Sequence, residues 1–448
     1  MKLWENNNNH SDNKIEKFTA GEDILLDQLL VKYDVVGSIA HALMLQKIGI
    51  LTQAELVEMK KALLEIIDLD NQGRFKIEVG DEDVHTKIEN YLTTKLGKTG
   101  QKIHTGRSRN DQILLDLRLY TKDKLLKIQR SLLDLCGALT FFAKENKSVP
   151  MPGYTHLQKA MPSSVDLWAL SFVESLLDDL IFLKTTYQIN DQNPLGSAAG
   201  YGVPIDLDRE LTTNLLGFQK IQNNVLYVQN SRGKIESMVL AALAQIMLDL
   251  SKLSNDLILF STEEFGFFDV SEEFRTGSSI MPRKRNPDVL ELIRARTNKV
   301  VSYYSQTMNI IKDLPSGYSR DFQETKEPLF RGLTITSSCL EMVTPIINDL
   351  KVNKQKLEEA FSPRIFAADK VFKLVSQGIP FREAYKEIEQ DLQKVKLTAP
   401  GDIIKLRKST GTSGKLGTEE LEEKIKKEAD SLESEKEKFY QKITSLIS

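Results

Sequence analysis

The sequence predicts an all-α protein, with a long central helical bundle between smaller helical N- and C-terminal domains. Three observations carry that prediction. The stretches from Asp111 to about Lys147, Ser163 to Asn190 and Lys234 to Phe265 contain no proline and a single glycine, Gly137. Apolar residues recur at helical spacing, as in Ile235, Val239, Leu243, Ile246, Leu250, Leu253, Leu257 and Phe260. No region is strand-rich, and no short-period repeat interrupts the pattern.

Taken in order, residues 1–16 are polar and Asn-rich, and read as an arm with Leu3 and Trp4 as its anchor. From about Asp23 the helical signal begins, through Leu25, Leu29, Tyr33, Val36, Ile39 and Leu43. Thr52 caps the next helix, with Glu55 completing a capping box. Residues 70–82 form a loop or short hairpin, Asp83 to Leu96 a helix, and Gly97 to Gly100 a break. The three proline-free stretches then supply three long helices, and Asp288 to about Lys312 and Asp321 to about Leu350 supply two more. Pro328 and Pro345 interrupt the last of these. A helix of about 30 residues spans roughly 45 Å, more than one compact domain needs, which points to a bundle completed by other subunits. The pattern then shortens to 354–361, 367–377 and 381–393, and the Glu/Lys-rich stretch 417–448 reads as a solvated terminal helix. The expected division is residues 1–108, 109–353 and 354–448.

Composition narrows the function. The net charge of −3 over 448 residues gives no global attraction to nucleic acid or an anionic membrane. Cys136 and Cys339 sit in apolar helical contexts and read as buried thiols. The five histidines (His10, His41, His85, His104, His156) never pair with one another at ligand spacing, so no metal site is expected. The N-terminus lacks the apolar core of a signal peptide, and no uninterrupted apolar run approaches a membrane span. A cytoplasmic location is expected.

Four polar islands break the helical pattern. Gly277 to Pro287 offers backbone N–H groups, the hydroxyls of Ser278 and Ser279, and the cations Arg283, Lys284 and Arg285 to one anion. It leads into a helix for which Asn286 is the expected N-cap and Pro287 the first helical residue. The positive end of such a helix suits a carboxylate or phosphate. His104 to Gln112 carries two arginines, Arg107 and Arg109, at a helix start, and an arginine fork matches a carboxylate. The plainer alternative is an interdomain capping cluster. Met151 to Gln158 sets His156, able to exchange protons near neutrality, in a Pro-Gly loop. Asn193 to Gly202 is a small-residue loop permitting close backbone approach. A satellite, Ser316 to Lys326, follows.

These islands carry a family resemblance. GSSIMPRKRNPDVLEL resembles the signature of the fumarase/aspartase superfamily. HTGRSRNDQ, MPGYTHLQ, NPLGSAAGYG and LPSGYSRDFQETKE resemble its argininosuccinate lyase branch, and the match runs from about Lys17 to about Lys386. The resemblance implies reversible anti-elimination of argininosuccinate to arginine and fumarate, with no metal or organic cofactor. It also implies a homotetramer whose twenty long helices form the core and whose sites each draw on three chains. Ser278 and His156 become the acid–base pair. Either can be written as the base, and Ser278 is preferred in the cleavage direction, activated by Lys284, loop amides and exclusion of water. Glu291 would orient His156. Asn110, Thr155, Asn286, Tyr318, Gln323 and Lys326 become substrate contacts, with Ser108 and Arg109 holding a carboxylate. One position departs from the pattern: Gly21 stands where the family has a serine contact, leaving Thr19, water or backbone to replace it. A sister lyase acting on adenylosuccinate, aspartate or malate would share the first motif, but HTGRSRNDQ and the Tyr318–Lys326 segment argue against it. A catalytically silent structural member would not need Ser278, His156, Lys284 and Glu291 intact.

Overall fold

The computed structural model describes residues 15, 18–19, 21–390 and 399–448. The N-terminal arm with Leu3 and Trp4, and the end of the helix expected to reach 393, lie outside the described residues.

An N-terminal group contains α1 (Val31–Lys47), α2 (Gln53–Asn71) and α3 (Val84–Leu96). Thr52 starts α2 as expected: its Oγ1 accepts the Glu55 N–H at 3.2 Å, and the Glu55 carboxylate accepts the Thr52 N–H at 2.8 Å. Such a cap is worth about 1 kcal/mol. The five expected long helices follow as α4 (Arg109–Glu145), α5 (Val165–Asn190), α7 (Lys234–Phe260), α8 (Asp288–Ile311) and α9 (Lys326–Asn348), with the short α6 (Arg209–Leu216) between the second and third. Pro345 sits inside α9 without ending it. Close approach is built in where helices cross. A Cβ on Gly37 of α1 would lie 2.5 Å from a Leu115 methyl on α4, and one on Gly332 of α9 would lie 2.4 Å from a Leu240 methyl on α7.

The bundle has two ends, and side-chain contacts fix which helix terminus lies at which. At the near end, beside the N-terminal group, Arg118 of α4 bonds Asn190 at the close of α5 and Ser231 just before α7. Ile311, the last residue of α8, packs against Gly233. Lys326, the first residue of α9, bonds Asp27. At the far end Trp168, early in α5, donates to Asp256, late in α7, at 2.9 Å. Phe268, beyond α7, pairs with Val352, beyond α9. α4 has 37 residues, so the ends lie about 50 Å apart.

Of the bundle helices, α7 is long and apolar enough to cross a membrane by composition. Its apolar faces are taken by α5, α8 and α9 instead.

At the far end a hairpin, β1 (Pro150–Thr155) and β2 (Gln158–Ser164), packs against α10 (Lys354–Glu359) and the turn Pro363–Phe366. Phe361, Ile365, Phe366 and Ile403 form a small separate core there. The last helix, α11 (Thr418–Ile447), differs from its sequence reading. Glu and Lys dominate its composition, yet Leu432, Phe439, Ile443 and Leu446 fall on one face and are buried against the bundle, chiefly α4. Phe439 caps the fully buried Lys122 ammonium at 5.3 Å, beside Asp191 and the Gly217 carbonyl. Four apolar residues in 30 suffice to bind a helix when they share a stripe.

Candidate active site

The near end holds a polar cavity of about 230 Å³. Arg109 and Asn110 reach it from the first turn of α4, and Tyr318, Gln323 and Lys326 from the segment before α9. These five expected contacts come from two segments about 200 positions apart in sequence, and the bundle brings them to one wall. Thr19 also lines the cavity; its carbonyl accepts Gln323 Nε2 at 3.0 Å and Arg320 at 3.1 Å. Gly21, where the family serine is absent, takes φ +51° in that same turn.

Local sequence explains the placement. Ser108 caps α4: its Oγ accepts the Asn110 N–H at 3.3 Å, while its own N–H donates to Asp111 at 2.8 Å. The other Asp111 oxygen accepts the N–H groups of Gly196 at 3.0 Å and Ala198 at 2.9 Å, tying the small-residue loop to the helix start. The Asn193–Gly202 island is therefore anchored by the same motif that presents Asn110. Ser108 spends its hydroxyl on the cap and does not line the cavity. Arg109 is held by Glu82 at 2.8 Å and Asp83 at 3.4 Å, so the capping and pairing alternative describes much of this motif.

Lys326 is buried against Asp27 at 2.5 Å and Asp23 at 3.2 Å. Burial alone would depress its ammonium, but the two carboxylates hold it above the ordinary lysine range. Burial pushes the Asp23 carboxyl up to about 6 in spite of Lys326. His85, which also lines the cavity, lies 2.5 Å from Asp34 and 3.7 Å from Asp116 behind it, all three buried. Burial disfavours the imidazolium, yet Asp34, with smaller help from Asp83 and Asp116, raises it to about 9. A scan for histidine pairs could not find this cluster, because its members come from α1, α3 and α4.

The other expected residues stand at the far end. His156 and Leu157 form the two-residue tip of the β1–β2 hairpin, closed by the Thr155–Gln158 pair. Both have positive φ, +52° and +58°, as a type I′ turn requires. Neither is glycine, and strain of this kind concentrates at functional sites. Thr155 and His156 are exposed. In the Gly277–Pro287 loop, Ser278 Oγ accepts the N–H of Met281 at 3.0 Å and of Ile280 at 3.4 Å. Lys284 is exposed, as is Glu291 one turn into α8. The expected cap at Asn286 is not there: α8 begins at Asp288 after Pro287, and Asn286 lies in a short strand pairing with Thr276. A residue before proline is driven to extended backbone, which accounts for the difference. Among the described residues, Ser278, His156, Lys284, Asn286, Glu291 and Thr155 do not touch the near-end cavity.

Further residues line the cavity that the sequence motifs do not single out as site residues, among them Asp23, Asp27, Glu82, Asp83, His85 and Arg232. Asp23 and Asp27 open and close one short helix, Asp23–Asp27, and carry no motif of their own. The one available signal for Arg232 was a basic residue followed by a helix-starting glycine.

Comparison with known proteins agrees with this architecture. Residues 7–302 match a family model described as Lyase. The chain is 46% identical over 401 residues to the argininosuccinate lyase of Phocaeicola vulgatus, covering 89% of each chain. It is 44% identical over 389 residues to that of Thermotoga neapolitana, covering 87% of this chain and 98% of the other. Among solved structures, an EDDS lyase in complex with formate superposes with TM-score 0.82 at 21% identity, covering 98% of this chain and 95% of that one. Class II fumarase from Schistosoma mansoni gives 0.71 at 17%, covering 87% and 94%. The chain belongs to the argininosuccinate lyase family of the fumarase/aspartase superfamily.

Proposed function

We propose that the protein cleaves argininosuccinate to arginine and fumarate at sites assembled from both bundle ends of different chains. The observation that carries the reading is the near-end cavity, where Arg109, Asn110, Tyr318, Gln323 and Lys326 converge. A base removes a proton from the succinyl carbon beside a carboxylate, and that carboxylate carries the carbanion's charge. The C–N bond to the guanidino nitrogen then breaks, the electron pair leaves with nitrogen, and the carbon–carbon double bond of fumarate forms. Donors fixed where the second negative charge develops do most of the acceleration.

Ser278 is assigned as the base. Its Oγ already accepts two backbone N–H groups, which favour its deprotonated form. Lys284 and Asn286 hold the charged carboxylate, and Thr155 adds a contact from the hairpin. His156, oriented by Glu291, protonates the leaving nitrogen. Tyr318, Gln323 and Lys326 take the arginine half, with Asn110, and with Arg109 beside the Ser108 cap, at the junction.

Because the two sets of residues lie about 50 Å apart in one chain, neighbouring chains must run head to tail to join them. This supports a homotetramer with sites shared among three subunits. A cytoplasmic setting and the three-part division at 108 and 353 complete the reading; the free, buried Cys136 and Cys339 fit a reducing compartment. The test is fumarate absorbance on adding argininosuccinate to the wild type and to Ser278→Ala. Absence of fumarate from the wild type with turnover of adenylosuccinate would sink the substrate assignment, and equal rates for both proteins would sink the base.

A further inference from the structure

The β1–β2 hairpin presents His156 over open space. Between its tip, the loop after α7 and the turn after α10 lies a cavity of about 720 Å³. Leu157, the other tip residue, is 78% exposed. No packed core therefore backs the tip, although both of its residues hold positive φ without being glycine. Strain of that kind persists only where surrounding contacts over-determine it. The place of His156 must be set by what grips the strands just behind it.

Two grips act on one cross-strand pair. Tyr154 and Lys159 stand directly opposite each other and share one face of the hairpin. The Tyr154 ring lies 6.1 Å from that of Phe260 at the end of α7 and 5.8 Å from that of Phe265 beyond it. Lys159 reaches the other wall, where its Nζ donates to the Ala360 carbonyl at 2.6 Å. Ala360 closes α10. Carbonyls at a helix end lack donors within the helix and carry partial negative charge, so an ammonium suits them. Glu264 and Glu359 line the same cavity, yet Lys159 bonds the backbone, and no carboxylate among the described residues pairs with it. A backbone carbonyl is a fixed point, whereas a glutamate side chain would follow the lysine. The bulge at Gly153 bends the strand ahead of this pair, and a Cβ there would meet the Met161 carbonyl at 3.0 Å.

We propose that Lys159 is a positioning residue for His156. Its bond to Ala360 ties the hairpin to the C-terminal helices and fixes the imidazole where the leaving nitrogen is protonated. The proposal rests on the lyase reading and on the acid role given there to His156. It adds the contact through which the C-terminal segment controls that role. A misplacement of about 1 Å, caused outside the chemistry, can cost about a hundredfold in rate.

Steady-state kinetics on the full-length protein with argininosuccinate tests this. Lys159→Met keeps the stem and removes the donors. Its kcat should fall about tenfold or more while KM changes less than about twofold, with melting unchanged. Lys159→Arg can still donate to the carbonyl and should restore most of kcat. In a His156→Asn background Lys159→Met should cost nothing further, because a residue acting through His156 has nothing left to place. A Lys159→Met variant with wild-type kcat would overturn the proposal, as would a rise in KM alone. A loss that arginine does not restore, or an equal loss with and without His156, would make Lys159 a residue of the fold only. A His156→Asn variant as active as the wild type removes the acid role beneath the proposal, and a wild type that makes no fumarate removes the lyase reading itself.

Discussion

The proposed joining of two half-sites across chains makes a quantitative prediction for hybrids. Asn110→Asp damages the near half by placing a negative charge where a substrate carboxylate is expected. Ser278→Ala damages the far half by removing the proposed base. Neither residue supports the fold: the Asn110 side chain makes no hydrogen bond to a described residue, and Ser278 sits in a partly exposed loop. Each variant alone should be close to inactive. In an equal mixture of subunits assembled at random, a site needs its near half from a Ser278→Ala chain and its far half from an Asn110→Asp chain. Each choice is met half the time, so about a quarter of the sites are intact in both halves. α4 separates Asn110 from the far end by about 50 Å, and no small substrate bridges that within one chain. The assay is to unfold the two variants together, refold them, and follow fumarate absorbance against wild type treated identically. Recovery near a quarter of wild-type activity is expected, and the same variants mixed without unfolding should recover nothing. Refolded hybrids no more active than the parents would refute the shared-site argument.

Two further predictions concern stability. His85 titrates near 9 in the fold and near 6.5 unfolded, so its contribution is complete below pH 6.5 and disappears as pH rises through 9. A shift of that size is worth about 3 kcal/mol, and urea unfolding across this window should show the loss in the wild type and its absence in His85→Asn. Asp111→Ala would leave the N–H groups of Ser108, Gly196 and Ala198 without their acceptor. That should lower unfolding stability by roughly 4 kcal/mol, read from the same denaturation curves, with loss of the α4 cap as a contributor.

The helical architecture was legible because it depends on local signals. The absence of proline and glycine, the apolar stripe of α7 and the Thr52 box each act within a few turns, and each reappears in three dimensions. What failed did so where one local rule met another or met a distant partner. Asn286 has a good capping side chain, but Pro287 behind it forces extended backbone, and a strand pair with Thr276 takes it. The last helix reads as solvated because charge dominates its composition, whereas its packing depends on four residues spaced to one face.

The division of the expected site follows from the property that made the fold legible. Long uninterrupted helices carry loops to opposite ends, so Arg109, Asn110, Tyr318, Gln323 and Lys326 meet at one end while His156 and Ser278 stand at the other. Shorter helices would have let one chain build the whole site. On the proposed shared-site reading, burying the bundle's outer faces against neighbouring chains and completing the chemistry would be one event. Exposed apolar residues on the bundle helices, among them Phe141, Ile181, Leu248, Leu292 and Met342, are the surfaces such neighbours would cover. A substitution that weakens that association should therefore remove activity at protein concentrations where the isolated chain still keeps its helices.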